Sequence, residues 1–277
     1  MVYAVSVKSM GKVTASASAN SVTLKWSKVS SAMGYRIYMK NSSGYKLLTS
    51  VTTAGCNLTS LSSQTKYVFR VAAYVKTSSG VYEGKASADT VIYTKPAKVS
   101  SLRVSTRTVS TLTLRWNTVS RADGYYIYRY SSTNSTWVKC GSSTSAIKRI
   151  SGLSAGTVYK FRVRAYKKTG ETTAYGEYSD AFSCCTTPAK MSFKSVSRNG
   201  SKLTVKWNKV KASGYELYVK TGSGSYTKKA DLTADKTGAV ISGIKKGVSY
   251  YFKVRAYVKV GTVKYYSSFS SAYRYAY

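Results

Sequence analysis

The sequence predicts an all-β chain made of three two-sheet sandwiches in tandem, and three observations carry that expectation. Apolar residues recur with a period of two, no stretch shows a helical face, and one unit of about ninety residues is written three times. SVTLKW, TLTLRW and KLTVKW end at Trp26, Trp116 and Trp207. GYRIY, GYYIY and GYELY begin at Gly34, Gly124 and Gly214, and the octets YVFRVAAY, YKFRVRAY and YYFKVRAY begin at Tyr67, Tyr159 and Tyr250.

The first inward set in each copy ends on the tryptophan: Val22, Leu24 and Trp26, then Leu112, Leu114 and Trp116, then Leu203, Val205 and Trp207. Polar residues fill the alternate positions, the pattern of a half-buried strand. Tyr35, Ile37 and Met39 form a second such set, and Tyr67, Phe69, Val71 and Ala73 a third. NSSG from Asn41, STNS from Ser132 and TGSGS from Thr221 supply turns between them. A strand that is apolar on one face needs a second sheet to cover it, and about seven short strands in a unit of this length make a sandwich. The two prolines, Pro96 and Pro188, stand just before the second and third copies. Proline fixes its own φ and extends its predecessor, so the joints are expected to be stiff. Domains at 1–95, 96–187 and 188–277, arranged as beads on a rod, follow from this spacing.

Each copy resembles a fibronectin type III domain of the immunoglobulin-like class. The residues that carry the resemblance are Trp26, Trp116 and Trp207 for strand B and Tyr35, Tyr125 and Tyr215 for strand C. The Leu-x5-Tyr corner is met by Leu61 with Tyr67 and Leu153 with Tyr159, and by Ile244 with Tyr250, where the isoleucine departs from the pattern. GSKLTVKWNKV, ISGIKKGVSYYFKVRAY and YYSSFS in the third copy are similar to modules of surface and secreted proteins from Gram-positive gut and rumen bacteria. That resemblance implies an extracellular spacer, adhesive segment or accessory module. YGEYS from Tyr175 and YSSFS from Tyr266 stand where class I cytokine receptors, built on the same fold, carry a WSxWS box packed against arginines of strand F. The first copy has YEGKAS from Tyr82 there, and the resemblance implies the packing and not receptor function.

Charge is the outstanding feature of the composition: 44 Lys and Arg against nine acids and no histidine give +35. Such a field attracts polyanions, so the expected partners are an anionic polysaccharide, a cell-wall polymer or an acidic patch on a host protein, with nonspecific nucleic-acid binding in vitro only. A self-repelling surface with no single ligand is the plain alternative. Apolar residues, 43% of the chain, include no run near the roughly 18 needed to span a bilayer, so a soluble chain is expected; it is also expected to be a monomer. MVYAVSVKSM is not an export leader, so either the signal lies elsewhere or the chain is a cut-out piece.

Alternation places the candidate binding residues. With the apolar half of each octet inward, Arg70 and Tyr74, Arg162, Arg164 and Tyr166, and Lys253, Arg255 and Tyr257 face outward, beside Tyr126, Tyr128 and Tyr130 in the second copy and Tyr218 and Lys220 in the third. One reading is structural, since a cation over an exposed ring contributes about 0.5–1 kcal/mol. The other is a docking strip, in which rings stack on sugars or bases while cations neutralise acids. The loop after the octet adds Lys76 and Tyr82, then Lys167, Lys168 and Tyr175, then Lys259, Lys264 and Tyr265; no RGD tripeptide occurs. The runner-up role is a stiff spacer that holds a further domain away from the envelope, and a specific host receptor or immunoglobulin is a third.

No enzyme activity is expected. Histidine is missing, the serines have no base, and the closest acids, Glu171, Glu177 and Asp180, fit turn chemistry. Cys56, Cys140, Cys184 and Cys185 lack CxxC spacing, which excludes the common zinc arrangements and leaves buried free thiols and no cofactor.

Overall fold

The computed structural model describes residues 6–170 and 172–277, and every helix or strand assigned in them is a β-strand. Each repeat contributes eight. The first holds β1 (Thr14–Ala17), β2 (Val22–Lys25), β3 (Gly34–Asn41), β4 (Gly44–Val51), β5 (Gly55–Leu58), β6 (Lys66–Thr77), β7 (Gly80–Glu83) and β8 (Thr90–Tyr93). The second holds β9 (Arg103–Arg107), β10 (Leu112–Arg115), β11 (Gly124–Ser131), β12 (Thr136–Ser143), β13 (Ile147–Ile150), β14 (Val158–Thr169), β15 (Thr172–Tyr175) and β16 (Phe182–Cys185). The third holds β17 (Phe193–Asn199), β18 (Lys202–Trp207), β19 (Gly214–Thr221), β20 (Thr227–Thr233), β21 (Gly238–Ser242), β22 (Ser249–Val260), β23 (Val263–Tyr266) and β24 (Tyr273–Ala276).

Topology repeats with the sequence. Three-stranded sheets run β1-β2-β5, β9-β10-β13 and β17-β18-β21; five-stranded sheets run β4-β3-β6-β7, β12-β11-β14-β15 and β20-β19-β22-β23, with β8, β16 and β24 also paired to β6, β14 and β22. The chain forms two compact units. One reaches to Val99 and takes Thr118–Tyr125 and Arg164–Ser179; the other takes Ser100–Asn117, Tyr126–Val163 and Asp180–Tyr277.

The alternating residues are buried as their period requires. Val22, Leu24, Ile37, Phe69 and Val71 close one core and Leu203, Val205, Leu217, Phe252 and Val254 another; Leu112, Leu114, Ile127, Phe161 and Val163 are buried in the same positions of the second repeat. Each such side chain contributes about 1.5–3 kcal/mol of apolar burial. Trp26 meets Tyr35 edge to face at 5.2 Å, and Trp207 meets Tyr215 at 5.9 Å, so the strand B and strand C aromatics pack as partners. Met39, expected inside, is half-buried at the end of its strand. The tyrosine corner closes in all three repeats: the hydroxyls of Tyr67, Tyr159 and Tyr250 accept from the amides of Ser62, Ser154 and Lys245 at 2.9, 2.8 and 2.8 Å.

Eight strands replace the expected seven because the last one breaks. After β7, Gly84 and Ser87 still donate to the carbonyls of Ala73 and Val71, yet the Ser87 hydroxyl, and not a carbonyl, accepts from the Val71 amide at 3.1 Å. In the third repeat the Ser267 and Ser270 hydroxyls accept from Ala256 and Val254 at 3.0 and 3.1 Å. A hydroxyl in place of a backbone acceptor lets the chain arch away from regular pairing while the neighbouring amide stays satisfied. This arch is the segment that reads YSSFS.

All four cysteines are free thiols. Cys184 and Cys185 are buried, and burial pushes the Cys184 thiol up to about 12. Cys56 and Cys140 correct the expectation of burial, for they sit on β5 and β12, the edge strands of their sheets, and are half-buried.

Candidate functional site

The outward residues of the octets form ladders of alternating cation and ring. In the unit containing the first repeat, the Arg70 guanidinium lies 4.1 Å from the centre of the Tyr45 ring and pairs with Asp89 at 2.5 Å, while the Tyr45 hydroxyl donates to the same carboxylate. Arg36 lies 5.6 Å from the Tyr74 ring and pairs with Glu83 at 2.6 Å, and the Tyr38 hydroxyl donates to Glu83. The same unit holds Arg164, stacked on Tyr175 at 4.1 Å and on Tyr178 at 4.9 Å. In the other unit Arg162 lies 4.5 Å from Trp137 and 5.8 Å from Tyr128, Lys139 lies 3.4 Å from Tyr126, and Lys160 lies 5.6 Å from Tyr130.

The third repeat concentrates the arrangement. Arg255 lies 3.7 Å from Tyr266, 4.9 Å from Phe269 and 5.2 Å from Tyr218. Its Nε and Nη2 donate to Glu216 at 2.9 and 2.7 Å, and Nη2 also reaches the Tyr218 hydroxyl at 2.9 Å. Glu216 is only 1% exposed, and Lys228 and Lys264 stand 3.3 and 3.4 Å from it. Burial pushes its carboxyl up, but the bonds from Arg255, Lys228 and Tyr218 win and hold it below the usual range. Lys220 and Lys253 flank Tyr226 at 5.5 and 4.7 Å.

Tyr257 was expected to be an open ring on this face and is instead 5% exposed. It sits opposite Gly214 across the strands, its hydroxyl donates to Asp231 at 3.0 Å, and Lys264 covers its ring at 3.9 Å. A Cβ at Gly214 would stand 2.3 Å from the Tyr257 hydroxyl, and one at Gly34 would stand 2.7 Å from that of Tyr74. The tyrosine ending the octet is therefore a lid over the glycine of strand C in these two repeats. Tyr166 occupies the matching position, half-buried and opposite Tyr175.

The predicted loop residues are corrected too. Lys76 and Tyr82, Lys167, Lys168 and Tyr175, and Lys259, Lys264 and Tyr265 all lie on paired strands, because only two residues separate β6 from β7, β14 from β15 and β22 from β23. Lys76, Lys168 and Lys259 are exposed. Lys167 pairs with Asp123 at 2.6 Å, Lys264 with Asp231 at 2.6 Å, and Tyr265 is covered by Arg107 at 3.9 Å. Of the three acids grouped by the sequence, Glu171 lies outside the described residues, and Glu177 and Asp180 are exposed. Among the described residues no three His, Cys, Asp or Glu side chains gather to hold a metal, and no helix is long and apolar enough to cross a membrane.

Sequence reasoning missed Trp137, Tyr45 and Tyr226, which come from strand β12 and from the β3–β4 and β19–β20 hairpins; their one signal was a ring beside a turn cluster. It also aligned the box of the first repeat one residue early. Register places Glu83 opposite Tyr74, as Tyr175 and Tyr266 stand opposite Tyr166 and Tyr257. The first repeat thus carries Ala72, Glu83 and Ala86 where the second carries Arg164, Tyr175 and Tyr178 and the third Arg255, Tyr266 and Phe269.

Comparison with known proteins gives the context for this geometry. The model of the fibronectin type III domain matches residues 8–91 and 97–181. The chain is 29% identical over 239 residues to receptor-type tyrosine-protein phosphatase eta of Gallus gallus, 85% of this chain and 16% of that protein. It is 30% identical over 170 residues to chitinase A1 of Niallia circulans, 56% of this chain and 23% of that protein. The chain thus spans less than a quarter of either relative. A crystal structure of chicken CNTN1 domains FN1–FN3 aligns with 98% of this chain and 99% of its own at 16% identity and a TM-score of 0.37.

Proposed function

The chain belongs to the fibronectin type III family, and from that premise we propose that it is a non-catalytic binding module of a secreted or surface protein, acting outside the cell and holding an anionic partner by its basic surface. An acidic glycan, a cell-wall polymer and an acidic host protein share the required chemistry. The observation that carries this reading is where the few acids sit. Glu83, Asp89, Asp123, Glu216 and Asp231 are all consumed by cations of the five-stranded sheets and their flanks, so the rest of a +35 surface has little internal compensation.

The second reading is a spacer, favoured by the ladders themselves, in which rings and cations satisfy each other. Stretches similar to this chain form parts of a receptor phosphatase and of a chitinase, which fits a module that accompanies different activities. Chromatography of the full chain on immobilised heparin separates the two. Binding gives retention whose logarithm falls linearly with the logarithm of salt, each neutralised charge adding about 0.7–0.9 to the slope. A spacer elutes with the void volume at low salt, and that result would end the binding reading.

A further inference from the structure

Given the reading above, that the surface binds an anion, we propose that the contact is made by the outer faces of the three-stranded sheets, and that the occupant is an anionic polysaccharide. The strands of these three sheets contain no aspartate or glutamate. Each repeat sets a cation just before the strand B tryptophan, Lys25, Arg115 and Lys206. All three are exposed, because the residues on either side of each are buried and a strand alternates.

The second repeat carries the densest group. Arg115 stands directly opposite Arg103, and Thr113, one step along the same face, stands opposite Arg149. The three arginines are exposed, and among the described residues none pairs with a carboxylate or stacks on a ring; Arg103 donates to the Ser101 carbonyl at 3.1 Å. Like charges placed opposite each other weaken a sheet, so folding alone gives no reason for the arrangement. In the third repeat a groove of about 760 Å³ is lined by Lys194, Lys206 and Lys209 beside Thr204 and the exposed Val240, and its one acid, Asp235, is taken by Lys236 at 3.2 Å.

The chemistry of these faces selects the polymer. None of the chain's 27 tyrosines lies on these strands; Trp207 borders the groove but is only 2% exposed, and Phe193 packs against the core, so there is no platform on which bases would stack. What the faces offer beside each cation is Thr, Ser and Asn: Thr113 and Thr106 by Arg115, Ser195 opposite Lys206, Asn199 opposite Lys202. A cation flanked by hydroxyl and amide groups matches a chain of sugars that carries carboxylates or sulfates among its own hydroxyls.

The test uses the full chain on immobilised heparin. R103S/R115S/R149S removes three charges from the proposed face, and K76S/K168S/K259S removes three exposed charges from the five-stranded sheets. The face variant should lose about 2 from the salt slope, three contacts at roughly 0.7 each, and the control variant less than half as much. Equal losses would overturn the inference in favour of the overall field. K202S/K206S, on a different sheet, repeats the test should the arginine variant unfold. Retention of the unmodified chain on single-stranded DNA at higher salt than on heparin would also overturn it, by naming nucleic acid as the occupant. An unmodified chain that passes through heparin unretained refutes the preceding reading, a result distinct from both.

Discussion

Removing the Arg255 side chain is the sharpest test of what the ladders do. Arg255→Ala deletes two charge-assisted hydrogen bonds to Glu216 and one to the Tyr218 hydroxyl, together with stacking on Tyr266, Phe269 and Tyr218. Leaving a buried charge with no partner costs about 3–5 kcal/mol, but Lys228 and Lys264 remain beside Glu216, so the loss is smaller here. With those two lysines taking over part of the carboxylate, the net loss in bonding is about that of one charged hydrogen bond, 1.5–3 kcal/mol, and the stacking adds about 1, which gives a total near 3 kcal/mol. For a sandwich of this size the corresponding unfolding transition moves down by about 12–24 °C. Arg70→Ala is the contrast, because Arg70 and Asp89 are 42% and 35% exposed and such pairs contribute less than about 1 kcal/mol. Scanning calorimetry of the full chain measures both, and exchange of the Val254 and Ala256 amides locates the weakened strand. If the two substitutions shift their transitions equally, the claim that Arg255 is a structural keystone is wrong.

Three further outcomes follow from particular contacts. Gly214→Ala should destabilise by about 1–3 kcal/mol and Gly34→Ala by less, because the new methyl meets the Leu232 carbonyl at 2.4 Å as well as Tyr257 in the first case, whereas its three nearest atoms in the second all belong to the Tyr74 side chain, the closest at 2.7 Å; urea unfolding of the two variants ranks them. Glu216 has its folded pKa below the unfolded value, so its contribution is present above the unfolded pKa and disappears as pH falls through the folded one; Glu216→Gln should flatten the stability of the third repeat over that acid range, followed by exchange or fluorescence. With Cys184 pushed up to about 12 and Cys185 also raised and buried, iodoacetamide at mildly alkaline pH should spare both until denaturant is added and label Cys56 first, as mass mapping will show.

Much of the fold was legible because burial imposes a period of two. Trp26, Trp116 and Trp207 lie where alternation puts them, and each corner tyrosine finds its amide. Alternation names the face a side chain points to but not what lies over it. Tyr257 points outward and is still buried, since Lys264 arrives from the next strand and Asp231 from the other edge. The box of the first repeat was misaligned because its chain leaves the regular ladder after Glu83, and a sequence pattern gives no register through an arch held by serine hydroxyls. Arg103, Arg115 and Arg149 escaped notice for another reason. Their strands read as ordinary polar faces, and only the pairing shows the first two directly opposed.

The first repeat shows why the ladder cannot be assembled piecemeal. Ala72, 1% exposed, replaces the stacking arginine, and both ring positions of the box change with it, to Glu83 and Ala86. An arginine at position 72 without those rings would have no platform, and rings without the arginine would be exposed apolar surface. The repeat instead carries Arg36 on the neighbouring strand, where its guanidinium takes Glu83 at 2.6 Å and lies over Tyr74, so a cation still spans the end of the sheet from the opposite side. Two solutions to one packing problem within a single chain indicate that the requirement is a satisfied cation at this place, whichever strand supplies it. A docking surface that needed the ring and arginine pattern itself would not survive the exchange. The ladder therefore serves the fold, and for this reason the contact proposed above is placed on Arg103, Arg115 and Arg149, which have neither a carboxylate nor a ring as partner among the described residues.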